Sequence, residues 1–220
     1  MRSTDYKKYT NLRKIIQLCL WPIVVIVIAF GWQYPWLGYS VPVVMLMGMA
    51  GGMVRGRYVC GHLCPRGAFF DRVMPCLSFK RPIPAWMRSS WFRWPVFAAL
   101  MAFMAYRISL NPTDFDHWGR VFWLLCTVTT AVGVFLAIFI HPRTWCAFCP
   151  MGTMQSALDR GRHRIMIDAE KCIACGACEK ACTMNLAIIK NKDTGSLPDR
   201  DCLRCCQCCS VCPNQAMGLE

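Results

Sequence analysis

The sequence predicts an α-helical membrane protein of four crossings that carries a small α+β domain at its C-terminal end. Three observations predict it. No charged residue interrupts the forty positions from Ile15 to Val54. Basic residues gather in two segments that flank apolar stretches. Eight of the seventeen cysteines fall, within the last fifty residues, into two runs of identical spacing.

A helix needs about 20 apolar residues to cross about 30 Å of hydrocarbon, so Ile15–Val54 holds two crossings. The break falls at Gly31–Ser40, where Gly, Pro and aromatic residues suit an interfacial turn. The first helix is then expected over Ile15–Trp32 and the second over Leu37–Val54. Gly48, Gly51 and Gly52 permit close helix packing, and Met45, Met47, Met49 and Met53 are read as packing residues. A third helix is expected over Trp91–Leu110, with Arg93 and Arg107 snorkelling from its ends. An outer loop, Asn111–Arg120, leads to a fourth helix, Val121–Ile140. Trp32, Trp36 and Trp118 would mark the outer interface, and Trp86, Trp91, Trp94 and Trp145 the inner one.

The formal charge of +13 is unevenly placed. Residues 1–14 carry five basic and one acidic side chain, and residues 55–93 carry eight and one. This is the positive-inside pattern rather than a nucleic-acid stripe, so nucleic acid is excluded as a partner and both termini are expected inside. The membrane part is expected over 1–160 and the C-terminal domain over 161–220.

In that domain Cys172-x2-Cys175-x2-Cys178-x3-Cys182 is followed by Cys202-x2-Cys205-x2-Cys208-x3-Cys212-Pro213. This is the spacing of a bacterial two-cluster ferredoxin, in which the fourth cysteine of each run serves the other cluster. Cys172, Cys175, Cys178 and Cys212 would hold one [4Fe–4S] cluster, and Cys202, Cys205, Cys208 and Cys182 the second. Zinc does not account for the x3 interval or the crossed duplication. Thr183 stands where Pro is usual, and Cys206 and Cys209 are spare thiols read as small buried residues. Short strands are expected at Ile165–Ile167, Ala187–Ile189 and Ala216–Met217. Clusters need reduced thiols, which places this domain in the cytoplasm.

A second repeat lies between the crossings. Cys60-Gly-His-Leu-Cys64-Pro65-Arg-Gly67 follows the second helix, and Cys146-Ala-Phe-Cys149-Pro150-Met-Gly152 follows the fourth. Two such units in parallel orientation, related by a pseudo-two-fold axis along the membrane normal, would bring the cysteine pairs together. Cys60, Cys64, Cys146 and Cys149 are therefore candidate ligands of a third metal centre, either iron–sulfur or a soft ion such as Cu(I).

Paired Cys-Pro motifs after alternate membrane helices, joined to a two-cluster ferredoxin, resemble the membrane polyferredoxins of the NapH, MauN, NosR and CcoG type. Cys60-Gly61-His62-x-Cys64-Pro65, Asn111-Pro112 and Arg200-Asp201-Cys202 are closest to NapH. The second motif departs by having two residues between its cysteines instead of three. Only fourteen polar residues precede the first helix, and Glu220 lies eight residues past Cys212, so the compact NapH/MauN-like form is expected. The resemblance implies a quinol-dehydrogenase-like electron-relay subunit in a bacterial inner membrane. Its partners would be membrane lipid, the quinone pool and a redox protein, either ferredoxin-like or a periplasmic reductase or dehydrogenase.

No helix offers facing histidines for haem, and no phosphate loop or hydrolytic triad is present. The chemistry available is one-electron transfer. Asp114-Phe-Asp116-His117-Trp118 is a candidate quinone-side or docking loop. Two other readings stand beside the relay: a maturation factor reducing or delivering copper through the Cys-Pro thiols, and an anchor that recruits a soluble partner.

Overall fold

In the computed structural model, which describes residues 3–161 and 163–219, apolar runs become long helices and the cysteine-rich segments become short, tightly turned loops. Arg2, counted in the charge pattern above, and Arg162 lie outside the described residues. The first helix, α1 (Ser3–Phe30), starts a dozen residues earlier than expected. Its amino-terminal turns lie beyond the apolar run and pack on the C-terminal domain, where Tyr6 Oη accepts from the Leu219 N–H at 3.1 Å. A short 3₁₀ turn over Pro35–Tyr39 leads into α2 (Ser40–Arg55), which ends where Gly56 takes φ +53°, a conformation that costs glycine little.

Two short helices follow, α3 (Tyr58–His62) and α4 (Pro65–Arg72). The third long helix is α5 (Ser90–Ser109) and the fourth α6 (Phe115–Phe139). The short pair then recurs as α7 (Thr144–Phe148) and α8 (Pro150–Leu158). Among the described residues three helices, Asp5–Phe30, Pro35–Arg55 (including the 3₁₀ turn) and Phe115–Phe139, are long and apolar enough to cross a membrane. The helix expected over Trp91–Leu110 forms, but Arg93 at its start is turned inward to an ion pair rather than outward.

Several expectations need correction. Most of the expected outer loop is helical: Asp114 caps α6 by accepting from the Asp116 N–H at 2.9 Å, and His117 Nε2 bonds the Arg107 carbonyl at 2.8 Å. Trp145 is buried rather than interfacial. Ala187–Ile189 is not a strand, because the Ile189 N–H is taken by the Glu179 carboxylate at 2.9 Å and a 3₁₀ turn follows. The strands that do form, β1 (Ile165–Ile167) and β2 (Met217–Leu219), pair antiparallel. Two more one-turn-and-a-half helices complete the domain, α9 (Ala177–Ala181) and α10 (Gln207–Val211). The buried core sits where this domain meets α1, α4 and α7, joining Ile165, Met184 and Leu203 to Phe70, Trp145 and Phe148.

Candidate metal centres

The two ferredoxin-like runs fold as copies thirty residues apart. Ala174, Gly176 and Asn185 have φ of +53°, +78° and +51°, and Arg204, Cys206 and Gln215 repeat this at +51°, +53° and +50°. Each reversal turns the chain so that successive cysteines face one point. Cys182 joins Cys202, Cys205 and Cys208 around one recess. Cys212 joins Cys172, Cys175 and Cys178 around another. Each recess thus gathers three thiols of one run and the fourth of the other. Burial pushes the Cys182 and Cys178 thiols up to about 11, so thiolates here need compensating charge, which iron supplies. Cys206 occupies the left-handed position that Gly176 fills in the first copy, and Cys206 and Cys209 are both buried.

The Cys-Pro motifs share one geometry despite their unequal spacing. Cys64 and Cys149 each immediately precede the first residue of a short helix, in extended conformation with Pro as that first residue. The extra residue of the first motif, Leu63, is absorbed between α3 and α4. Each motif is then locked to the other by an arginine three residues before its first cysteine. Arg57 donates to the Cys146 carbonyl, and Arg143 donates to the Cys60 carbonyl at 3.1 Å. The Gly of each Cys-Pro-x-Gly leaves room for the opposite arginine, since a Cβ on Gly67 would meet Arg143 and one on Gly152 would meet Arg57. Here the sequence signal was present and missed: Arg57-x2-Cys60 and Arg143-x2-Cys146 have equal spacing.

Each locking arginine is anchored by a buried carboxylate. Asp71 accepts two bonds from Arg143 at 2.7 Å, one from Arg13 at 2.5 Å and one from Gln17 at 2.8 Å. Its counterpart is Asp201, which accepts from Arg57 at 2.9 Å, from Arg93 through both oxygens, and from Ser156 at 2.9 Å. Asp71 stands seven residues after Cys64, and Ser156 stands seven after Cys149. In the second half the carboxylate is supplied by the residue preceding Cys202. Burial alone would raise both carboxyls, but the flanking arginines hold each down to about 2.

The two regions touch. Gly61, between Cys60 and Cys64, lies against the Leu203 backbone, which lies between Cys202 and Cys205. Tyr9 Oη and His62 Nε2 are 2.9 Å apart beside this contact. Above the Cys-Pro thiols opens a cavity of about 390 Å³. Cys60, Cys64, Cys146 and Cys149 all line it, with Cys126, and its walls are apolar residues of α1 and α2 such as Ile23, Val27, Val41 and Val44. Among the described residues no three His, Cys, Asp or Glu side chains close tightly enough to hold a single ion.

Comparison with known proteins finds 4Fe-4S binding profiles in both regions. One 4Fe-4S binding domain profile matches twice, over residues 37–84 and 120–167, each match containing one Cys-Pro motif. A second 4Fe-4S binding domain profile matches residues 163–184, the first ferredoxin-like run. The uncharacterized protein MJ0749 of Methanocaldococcus jannaschii is 26% identical over 76% of this chain and 65% of its own length. MJ0750 of the same organism is 25% identical over 76% of this chain and 74% of its own. The putative electron transport protein YccM of Escherichia coli is 25% identical over 48% of this chain and 29% of its own. The chain thus spans less than two thirds of the length of MJ0749 and under a third of YccM. No solved structure matches. The matches support an iron–sulfur protein of polyferredoxin type.

Proposed function

We propose that this chain is a membrane-bound iron–sulfur electron-transfer protein that carries electrons between the quinone pool and a partner redox protein. Cys172, Cys175, Cys178 and Cys212 would hold one [4Fe–4S] cluster, and Cys182, Cys202, Cys205 and Cys208 a second. Cys60, Cys64, Cys146 and Cys149 would hold a third. When bound, the clusters supply one-electron chemistry. The chain's own residues fix the thiols, exclude water from the inner set and hold the two regions together.

The observation that carries the reading is the reciprocal arginine lock, which brings both Cys-Pro pairs to one cavity while Gly61 rests on the loop between Cys202 and Cys205. Similarity to a putative electron transport protein adds to it. The quinone link is supported by the cavity, whose size and apolar walls fall in the range of small-molecule sites. We place the ring there rather than at Asp114–Trp118, whose Asp114 and His117 already serve local structure. The proposed topology has four crossings with both termini and the ferredoxin-like domain on the cytoplasmic side of the cytoplasmic membrane.

A second reading, delivery or reduction of copper, draws on Met45, Met47, Met151 and Cys126 in the same cavity, since soft ions favour such sulfur ligands. Anaerobic protein exposed to a water-soluble quinol such as duroquinol separates the two. Reduction of a cubane chromophore supports the relay. No reduction with the native partner present, together with copper bound in thiol stoichiometry, overturns it.

A further inference from the structure

Buried where α1, α4 and α7 meet the C-terminal domain are four arginines, Arg13, Arg57, Arg93 and Arg143, and two carboxylates that pair with them, Asp71 and Asp201. Asp159 is taken by Arg204 at 2.8 Å and does not contribute. Arg66 adds a fifth positive charge on the wall of the cavity. It is held there by Thr129 Oγ1 at 2.6 Å and lies over the Trp145 ring. Five arginines against two carboxylates leave three positive charges unmatched at this junction, and Arg57, Arg66 and Arg143 line the cavity together with the four thiols. Unpaired buried charge is strongly unfavourable, so this region is built around something negative. A four-thiolate cube carries two net negative charges when oxidised and three when reduced, and the reduced form balances the excess.

The hydrogen bonds to sulfur point the same way. Arg66 Nη2 donates to Cys149 Sγ at 3.7 Å, Arg143 Nη1 to Cys146 Sγ at 3.5 Å, and the Gly67 N–H to Cys64 Sγ at 3.4 Å. Two of these donors are cations. In the C-terminal domain the donors to sulfur are neutral backbone groups, such as the Ala216 N–H to Cys212 Sγ at 3.3 Å. Arg13 lies toward Cys205, but its hydrogen bonds go to the Gly61 carbonyl and Asp71. Cluster potential rises with positive surroundings and with hydrogen bonds to sulfur, and falls with burial. Burial at the inner site penalises the more negative reduced state. The unmatched charges sit in that same dry region, where they act with little screening, and they outweigh the penalty.

Resting on the third-centre reading above, we infer that the Cys60/Cys64/Cys146/Cys149 site has the highest reduction potential of the three and that Arg66 sets it. An electron given up at the Cys182/Cys202/Cys205/Cys208 set, which is thereby oxidised, reduces the inner site downhill, with no proton required at the thiolates. The inner site is the resting place of the electron beside the cavity. Arg66 is a tuning residue with no counterpart in the second half, where Met151 stands at its position. The two halves of the repeat are therefore electronically unequal.

The test is a mediated redox titration of the anaerobically purified holoprotein, followed by electron paramagnetic resonance, with Cys60→Ser used to assign the inner component. The expected result is that this component reduces first. Arg66→Gln lowers its potential alone, Arg66→Lys retains most of it, and Thr129→Val, which frees Arg66, gives a smaller fall. Iron content unchanged in Arg66→Gln shows that the shift is not loss of the site. The ordering is overturned if the inner component titrates at or below the other two, or if Arg66→Gln and Thr129→Val move all three alike or none. An iron count near eight per chain in the unaltered protein overturns the third centre itself, whereas about twelve with unordered potentials overturns the ordering alone.

Discussion

Gly61 has no side chain where the Leu203 backbone presses against a Cys-Pro motif. The Gly61 carbonyl is also held from the other side, by Arg13 at 2.9 Å and Gln17 at 3.0 Å, so the motif cannot retreat. A larger residue must therefore push the Cys202–Cys205 loop outward. Gly61→Val is expected to cost about 1–3 kcal/mol as an overpacked core substitution. All three thiol sets keep their iron, while electron transfer between the two regions slows at least tenfold. Stopped-flow reduction by dithionite, resolved into fast and slow phases, measures it.

Asp201 ties the C-terminal domain to both halves of the repeat, to the first through Arg57 and to the second through Arg93. Asp201→Asn leaves two buried guanidinium groups without their anion, a loss of about 3–5 kcal/mol for a broken buried pair. Because the carboxylate comes from the domain itself, the expected outcome is undocking. Protease cleavage between residues 158 and 165 should accelerate sharply, and the four membrane-side helices should remain intact on the gel.

Asp71 and Asp201 are both held near 2 against a usual value of about 3.9. A carboxyl with a depressed folded-state pKa stabilises the fold above its unfolded value. That stabilisation is lost as pH falls through the folded value. Each should contribute about 2–3 kcal/mol that fades from about pH 4 toward pH 2. Denaturant midpoints of the metal-free protein at several pH values test this: the acid slope should flatten in Asp71→Asn.

Cys206 adopts φ +53° where the first copy has Gly176. A non-glycine residue there costs about 1 kcal/mol. Cys206→Gly is expected to raise stability by about that amount with iron content unchanged. Loss of about four iron would show that Cys206 is a ligand and that the rival register Cys206-x2-Cys209-x2-Cys212 is used.

The sequence showed most of the helices, because long uncharged runs mark them, and it showed the eight C-terminal cysteines as two runs of identical spacing. It did not show why α1 begins at Ser3, since Tyr6 and Tyr9 are held by residues more than fifty positions away. The arginine lock was visible as equal Arg-to-Cys spacing, but arginines beside membrane helices read first as topology signals. Arg57 contributes to that charge bias while being fully buried. Trp145 was misplaced for a related reason: tryptophan near a helix end suggests an interface, and only the fold shows it beneath Arg66. The Cys-Pro motifs differ by one residue in sequence, yet Cys64 and Cys149 reach the same position before a helix because Leu63 takes up the difference.

The most direct test of the account is a count of iron and acid-labile sulfide in anaerobically purified protein and in a Cys60→Ser, Cys146→Ser variant. Three four-thiol sites predict about twelve iron per chain, falling to about eight in the variant with the cubane spectrum retained. About eight in both, or copper in place of the missing iron, would contradict it.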